Sequence, residues 1–192
     1  ITLSAMIISA IPMVGAWAAS KWMIPWADSV AGNAAAGYKA ATQGWWALGA
    51  TLGSFAGAHF THMLGRRFSY ALISVGAAGL TVAMFQLSAP LQPSFHPVVF
   101  AQGIVSTLFF GWLALFLPEV FPTHVRATGT GLAYNAGRFA TAFGVLAAGG
   151  IFTFLGGSYP KVGAICASVY ALGLFAVLLV PNRETNTFPD CR

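Results

Sequence analysis

Six apolar runs leave this chain few ways to fold, because each is about 20 residues or more and can cross roughly 30 Å of hydrocarbon as a helix. They extend roughly over residues 1–23, 41–60, 68–87, 98–117, 127–155 and 159–180. A helix in lipid satisfies its own backbone polar groups, which an irregular segment exposed there cannot do. The expected architecture is therefore an all-α integral membrane bundle of six transmembrane helices. Composition agrees: 57% of the 192 residues are hydrophobic and 7% are charged, against about 25% charged in a soluble domain. The formal net charge of +5 would point to nucleic acid in a soluble chain. Here the basic residues sit in short gaps between apolar runs, which suits lipid headgroups, so no nucleic-acid partner is expected.

Ile1 already lies inside an apolar run, with no Met and no basic leader before it. The sequence reads as part of a longer protein in preference to a chain processed to a mature end. Residues 26–40 and 88–97 read as loops punctuated by Gly, Pro and Asn. The break at residues 156–160 is short, so the last two helices are expected as an antiparallel hairpin. Charge sets the orientation. Arg66, Arg67, Arg126, Arg183 and Arg192 fall on one side, and Lys21, Lys39 and Lys161 on the other. By the positive-inside rule both ends of the segment are expected to be cytoplasmic; the expected location is multi-pass in a bacterial inner (cell) membrane.

Pro12 and Pro25 predict a kinked first helix, with a simple packing irregularity at Pro12 as the alternative. Trp17, Trp22, Trp26, Trp45 and Trp46 read as an interfacial belt, and Trp112 lies nearer the cytoplasmic end. Cys166 and Cys191 form no disulfide framework.

The fifth run carries the chemistry. On a helical wheel Thr128, Gly131, Asn135, Arg138 and Ala142 fall within about 80° of one another, flanked by Tyr134 and Thr141. The far side holds Ala133, Ala136, Gly137, Ala140 and Gly144, small residues suited to close packing on a neighbouring helix. Arg138 lies about 15 to 18 Å along the helix by its rise per residue, too deep to reach the headgroups comfortably. The carboxylates are Asp28, Glu119, Glu184 and Asp190, none of them within an expected run. Arg138 must then face an acid from elsewhere, a water-filled cavity, backbone carbonyls or an anionic ligand. A structural arginine is the plain alternative to a substrate-holding one.

The remaining polar positions within the runs are weaker. Gln102 and Ser106 are four apart, and Thr51 and Ser54 share a face with Gln43. Such residues line pores, but Ser and Thr also bond to their own helix carbonyls. Ser54 and His59 lie about 140° apart on a wheel and make no nucleophile and base pair. His59, His62, His96 and His124 lack ligand spacing, and no P-loop or HExxH pattern occurs. No enzyme, metal or cofactor is expected.

The stretch Pro118 to Gly129, PEVFPTHVRATG, resembles the PExFPTxxRAxG element between helices ten and eleven of major facilitator superfamily transporters. The following Gly131 to Arg138, GLAYNAGR, looks most like the metabolite:proton symporter branch, with the sugar porters as the other branch carrying the element. Ala58 to Arg67 resembles the GxxxDRxGRR loop, and residues 181–185 resemble the PETKG ending. His62 stands where that family has an acid, and a neutral imidazole cannot supply its negative charge. The cytoplasmic latch is then expected to be weaker, or carried by Glu119 with Arg126 or by the N-terminal half.

The resemblance implies that residues 1–192 form one C-terminal-type six-helix bundle, helices seven to twelve, with an N-terminal six-helix half as its partner. It implies secondary transport of a small organic solute, with the proton-coupled uptake of an organic anion as the expectation. Sugar transport, or a membrane module for structure or assembly, is the alternative. Arg138, Asn135, Tyr134, Gln102 and Ser106 are the expected cavity residues, and Arg66, Arg67, Glu119 and Arg126 the expected gating residues. The proton-carrying group would lie in the N-terminal half.

Overall fold

A computed structural model of the chain describes residues 1–32 and 35–180, and these are helical with short connections. Arg183, Glu184, Asp190, Cys191, Arg192 and the ending at residues 181–185, for which the sequence raised expectations, lie outside the described residues. The first span, Thr2–Ala31, is built from α1 (Thr2–Val14), a π-helical turn (Gly15–Ala19), a 3-10 turn (Ser20–Trp22) and α2 (Met23–Ala31). Then follow α3 (Tyr38–Leu64), α4 (Arg66–Gln86), α5 (Phe95–Val120), a 3-10 turn (Thr123–Val125), α6 (Arg126–Phe154) and α7 (Tyr159–Ala176).

Among the described residues five stretches are long and apolar enough to cross a membrane, which makes this a multi-pass membrane protein. The expected second span is the exception. With 27 residues α3 is about 40 Å long by its rise, but it is glycine-rich and carries Thr42, Gln43, Thr51, Ser54 and His59. Its glycines explain the composition. Gly49, Gly53 and Gly57 lie on one stripe against α5, where a Cβ would collide with the carbonyl oxygens of Phe100, Ile104 and Leu108. Gly103 and Gly111 of α5 meet α3 in return. Backbones this close pack by van der Waals contact and have little use for apolar bulk.

Helix ends differ from the sequence expectation in three places. The first helix continues past Pro25 to Ala31 and α3 begins at Tyr38, so the first loop is shorter than residues 26–40. Pro25 falls in the first turn of α2, where a missing N–H is tolerated. Asp28 and Glu119 consequently lie inside the last turns of helices, where both were expected in loops. Lys21 no longer borders a loop. It sits ten residues before Ala31, about 15 Å by the helical rise.

Pro12 has no N–H to give Ile8, four residues back. The Ile8 carbonyl instead accepts from the Tyr70 hydroxyl at 2.9 Å, a bond from α4 into the first span. Beyond it the helix widens into the π-helical turn, and the Ser20 amide reaches back to the Gly15 carbonyl. Pro12 thus marks both an irregular span and a packing joint.

The helices pair as the first span with α6, α3 with α5, and α4 with both α5 and α7. The small-residue face of α6 does pack as expected: Gly137 meets Ser9 and Met13, Gly144 meets Val14, and Ala133 is fully buried. Higher residue numbers on α6 meet higher numbers on the first span, so the two run parallel. After the turn at Gly156 and Gly157, both at positive φ, α7 leaves α6 and packs on α4 and the first span. The hairpin expected of α6 and α7 is a connection more than a packed pair.

One buried polar network ties five helices. Gln102 accepts from Trp46 Nε1 at 2.8 Å and donates to Ser20 Oγ and to Thr81 Oγ1, and Ser20 also meets the Tyr170 hydroxyl at 3.3 Å. Trp46 and Trp26 are therefore core residues, the latter stacked on Phe85, and only Trp17 and Trp45 are well exposed among the expected belt. Trp112 is fully buried and donates to the Arg66 carbonyl at 2.9 Å.

Candidate functional site

A half-open cavity of about 450 Å³ lies where the first span, α3, α5 and α6 meet. The first span contributes Met13 and Trp17, α3 contributes Trp46 and Ser54, α5 contributes Thr107 and Phe110, and α6 contributes Tyr134, Arg138 and Thr141. Tyr134, Arg138 and Thr141 are four and three residues apart, so one helical face brings them together. The hydroxyls of Thr107 and Thr141 are already given to backbone carbonyls, Ala50 at 3.0 Å and Gly137 at 2.9 Å. Arg138, Tyr134 and Ser54 make no hydrogen bond among the described residues and are open to the cavity.

Arg138 is exposed and makes no ion pair among the described residues. The two acids that the structure describes are taken: Asp28 by Lys39 at 2.8 Å, and Glu119 by Arg66. A guanidinium carries five donors in a planar fork that fits a carboxylate on two prongs. Around it the indole of Trp17 and the ring of Phe110 offer flat apolar contact. The arrangement can hold a compact organic anion by its charge at Arg138 and by its body on the rings.

The other expected cavity residues lie elsewhere. Gln102 is fully buried in the network described above, and Ser106 is fully buried with its hydroxyl on the Gly103 carbonyl of its own helix. Asn135 is exposed on α6 outside the cavity lining, and its amide donates to Gly131 O at 2.8 Å. Sequence reasoning set Ser54 aside as a common helix hydroxyl and read Trp17 and Trp46 as a belt. A usable signal was present: Trp46, Ala50 and Ser54 repeat every four residues, beside the glycine stripe of α3.

The expected gating residues gather at one end of the bundle. Arg66, at the start of α4, pairs with Glu119 at the end of α5, with both side chains partly exposed. Arg126 makes no ion pair with Glu119 and donates to the Phe121 carbonyl and to Thr123 Oγ1. Arg67 donates to the Val180 carbonyl at 2.7 Å, closing the end of α7 onto α4. His62 is exposed. Among the described residues no group of His, Cys, Asp and Glu is placed to hold a metal.

Fold and site together define a multi-pass helical membrane protein with a solute-sized cavity among its helices. The known proteins it is similar to are transport proteins. It is 31% identical over 180 residues to a probable 4-methylmuconolactone transporter of Cupriavidus pinatubonensis, covering 92% of this chain and 41% of that protein. It is 33% identical over 125 residues to the cis,cis-muconate transport protein of Acinetobacter baylyi, covering 60% of this chain and 30% of that protein. Over 131 residues it is 36% identical to the inner membrane metabolite transport protein YhjE of Escherichia coli, covering 64% of this chain and 28% of that protein. The chain thus spans between 28% and 41% of the length of these relatives. No family model matches the chain, and no solved structure does.

Proposed function

We propose that the chain forms the C-terminal-type half of a major facilitator transporter and that Arg138 holds the anionic group of a small organic solute during proton-coupled transport. The observation that carries this reading is Arg138 itself: a guanidinium in a membrane-spanning helix, exposed in a 450 Å³ cavity and paired with no acid among the described residues. An unsatisfied charge at that depth is costly and marks a pathway for a solute. The Thr123–Phe154 stretch is also the least covered of the five, with 11% of its apolar window buried. A second six-helix half facing α6 would cover it and close the cavity. The relatives named for cis,cis-muconate and 4-methylmuconolactone support an organic acid over a sugar.

The test is uptake into proteoliposomes by the protein as the cell makes it, with labelled cis,cis-muconate, benzoate and glucose, each with and without an inward acid gradient. The reading expects saturable uptake of an organic acid that the gradient accelerates. Uptake of glucose alone would favour the sugar-porter branch, and uptake of none would favour a module of structure or assembly.

A further inference from the structure

A second cation lies inside the first span, and the Arg138 site does not account for it. Lys21 is about 15 Å from the end of that span by the helical rise, well within its length. Its ammonium has only neutral partners among the described residues. Gln43 Oε1 accepts from it at 2.9 Å, and it sits 3.4 Å from the centre of the Trp46 ring and 5.4 Å from that of Trp17. Two of its three donors are left over, and an aromatic face stabilises a cation without neutralising it. The acid nearest in sequence, Asp28, is held by Lys39.

Lys21 also lines a separate recess of about 180 Å³ with Trp17, Trp22 and Val145. Val145 is seven residues beyond Arg138 on α6, roughly 10 Å along its axis. Trp17 lines both cavities, and Trp46, which carries the Lys21 ammonium on its ring, lines the Arg138 cavity as well, so the two sites adjoin across these indoles. Trp17 lies in the π-helical turn, where the local backbone already departs from α geometry.

We infer that the Lys21 recess is a second anion-binding station, which takes a carboxylate of the transported solute next to the Arg138 cavity, across the Trp17 and Trp46 indoles. The inference rests on the anion reading of that cavity. A charge-assisted hydrogen bond from the ammonium supplies attraction, and the flanking rings admit an unsaturated or aromatic body. A lipid phosphate is the other oxyanion that could reach Lys21.

The experiment is equilibrium dialysis of labelled cis,cis-muconate against the purified protein in nanodiscs, first of zwitterionic lipid and then with phosphatidylglycerol added. The unaltered protein should bind two anions, Lys21→Met and Arg138→Met one each, and Lys21→Arg two. Removing a charge from a membrane helix favours insertion, so Lys21→Met should fold. In uptake Lys21→Met should raise KM roughly tenfold, the loss of one charge-assisted bond. Lys21→Met binding as many anions as the unaltered protein overturns the station, as does a single site lost equally in both Met variants. Loss of the Lys21-dependent site on adding phosphatidylglycerol assigns it to lipid and overturns it too. Unchanged stoichiometry in Arg138→Met, with one anion lost in Lys21→Met, sinks the Arg138 reading instead. No binding to the unaltered protein sinks both.

Discussion

Tyr70 shows how one side chain repairs a defect written into the sequence. Pro12 deprives Ile8 of its helical donor, and the Tyr70 hydroxyl takes over at 2.9 Å. Tyr70→Phe should therefore cost about 1 to 2 kcal/mol by leaving a buried carbonyl unpaired, at the upper end of what single hydrogen bonds contribute in membrane bundles. Thermal unfolding in detergent would show it as a lower midpoint with unchanged helix content. Gln102 has more at stake, since Gln102→Leu would orphan Trp46 Nε1 and release Ser20 and Thr81 together. A larger drop in midpoint than for Tyr70→Phe is expected, and an equal or smaller drop would mean that the network is not the joint described. Both roles escape sequence reading for one reason. A Gln and a Ser four apart look the same whether they face a cavity or four other helices, and only tertiary packing decides. That Arg138 and Tyr134 share one helical face was legible, because their i, i+4 spacing is a local fact.

At the scale of elements, α3 was the least legible helix and α6 the most. The α6 pattern put small residues on one face and polar ones on the other, and Gly137 and Gly144 do meet the first span. For α3 the run at residues 41–60 does form a helix, but it is less apolar than the other five, because close packing on α5 replaces side-chain bulk with glycine. Gly53→Ala should fail to pack, since its new methyl meets the Ile104 carbonyl and the Thr107 hydroxyl, whereas Gly79→Ala meets nothing within 4 Å on α4. Yield of folded, monodisperse protein compares the two, and equal yields would contradict the close α3 and α5 approach. The Arg66 and Glu119 pair joins the start of α4 to the end of α5. Its partly exposed setting limits its worth to about 0 to 1 kcal/mol, so Glu119→Gln should leave folding intact and alter transport rate more than affinity. A change confined to affinity would count against a switching role.

Across the whole molecule, the legible part was the class: long apolar helices, few charges, and a cation with no partner in its own run. What the sequence held back was where the bundle is open, which depends on how helices far apart in the chain lean on one another. The expected topology puts the α3–α4 turn and the α6–α7 turn on opposite faces of the membrane. Met63→Cys and Lys161→Cys, both exposed, should then label from opposite sides in a cysteine-free background. Labelling from one side would refute the arrangement. The most direct measurement of the central claim is binding of cis,cis-muconate and benzoate to folded Arg138→Lys and Arg138→Ala proteins. Lysine keeps the charge and loses the two-pronged fork, so Arg138→Lys should bind roughly tenfold more weakly and still prefer anions to glucose. Arg138→Ala should lose anion binding at the Arg138 cavity altogether. If both variants bind an organic anion there as tightly as the unaltered protein, Arg138 is structural and the cavity is not an anion site.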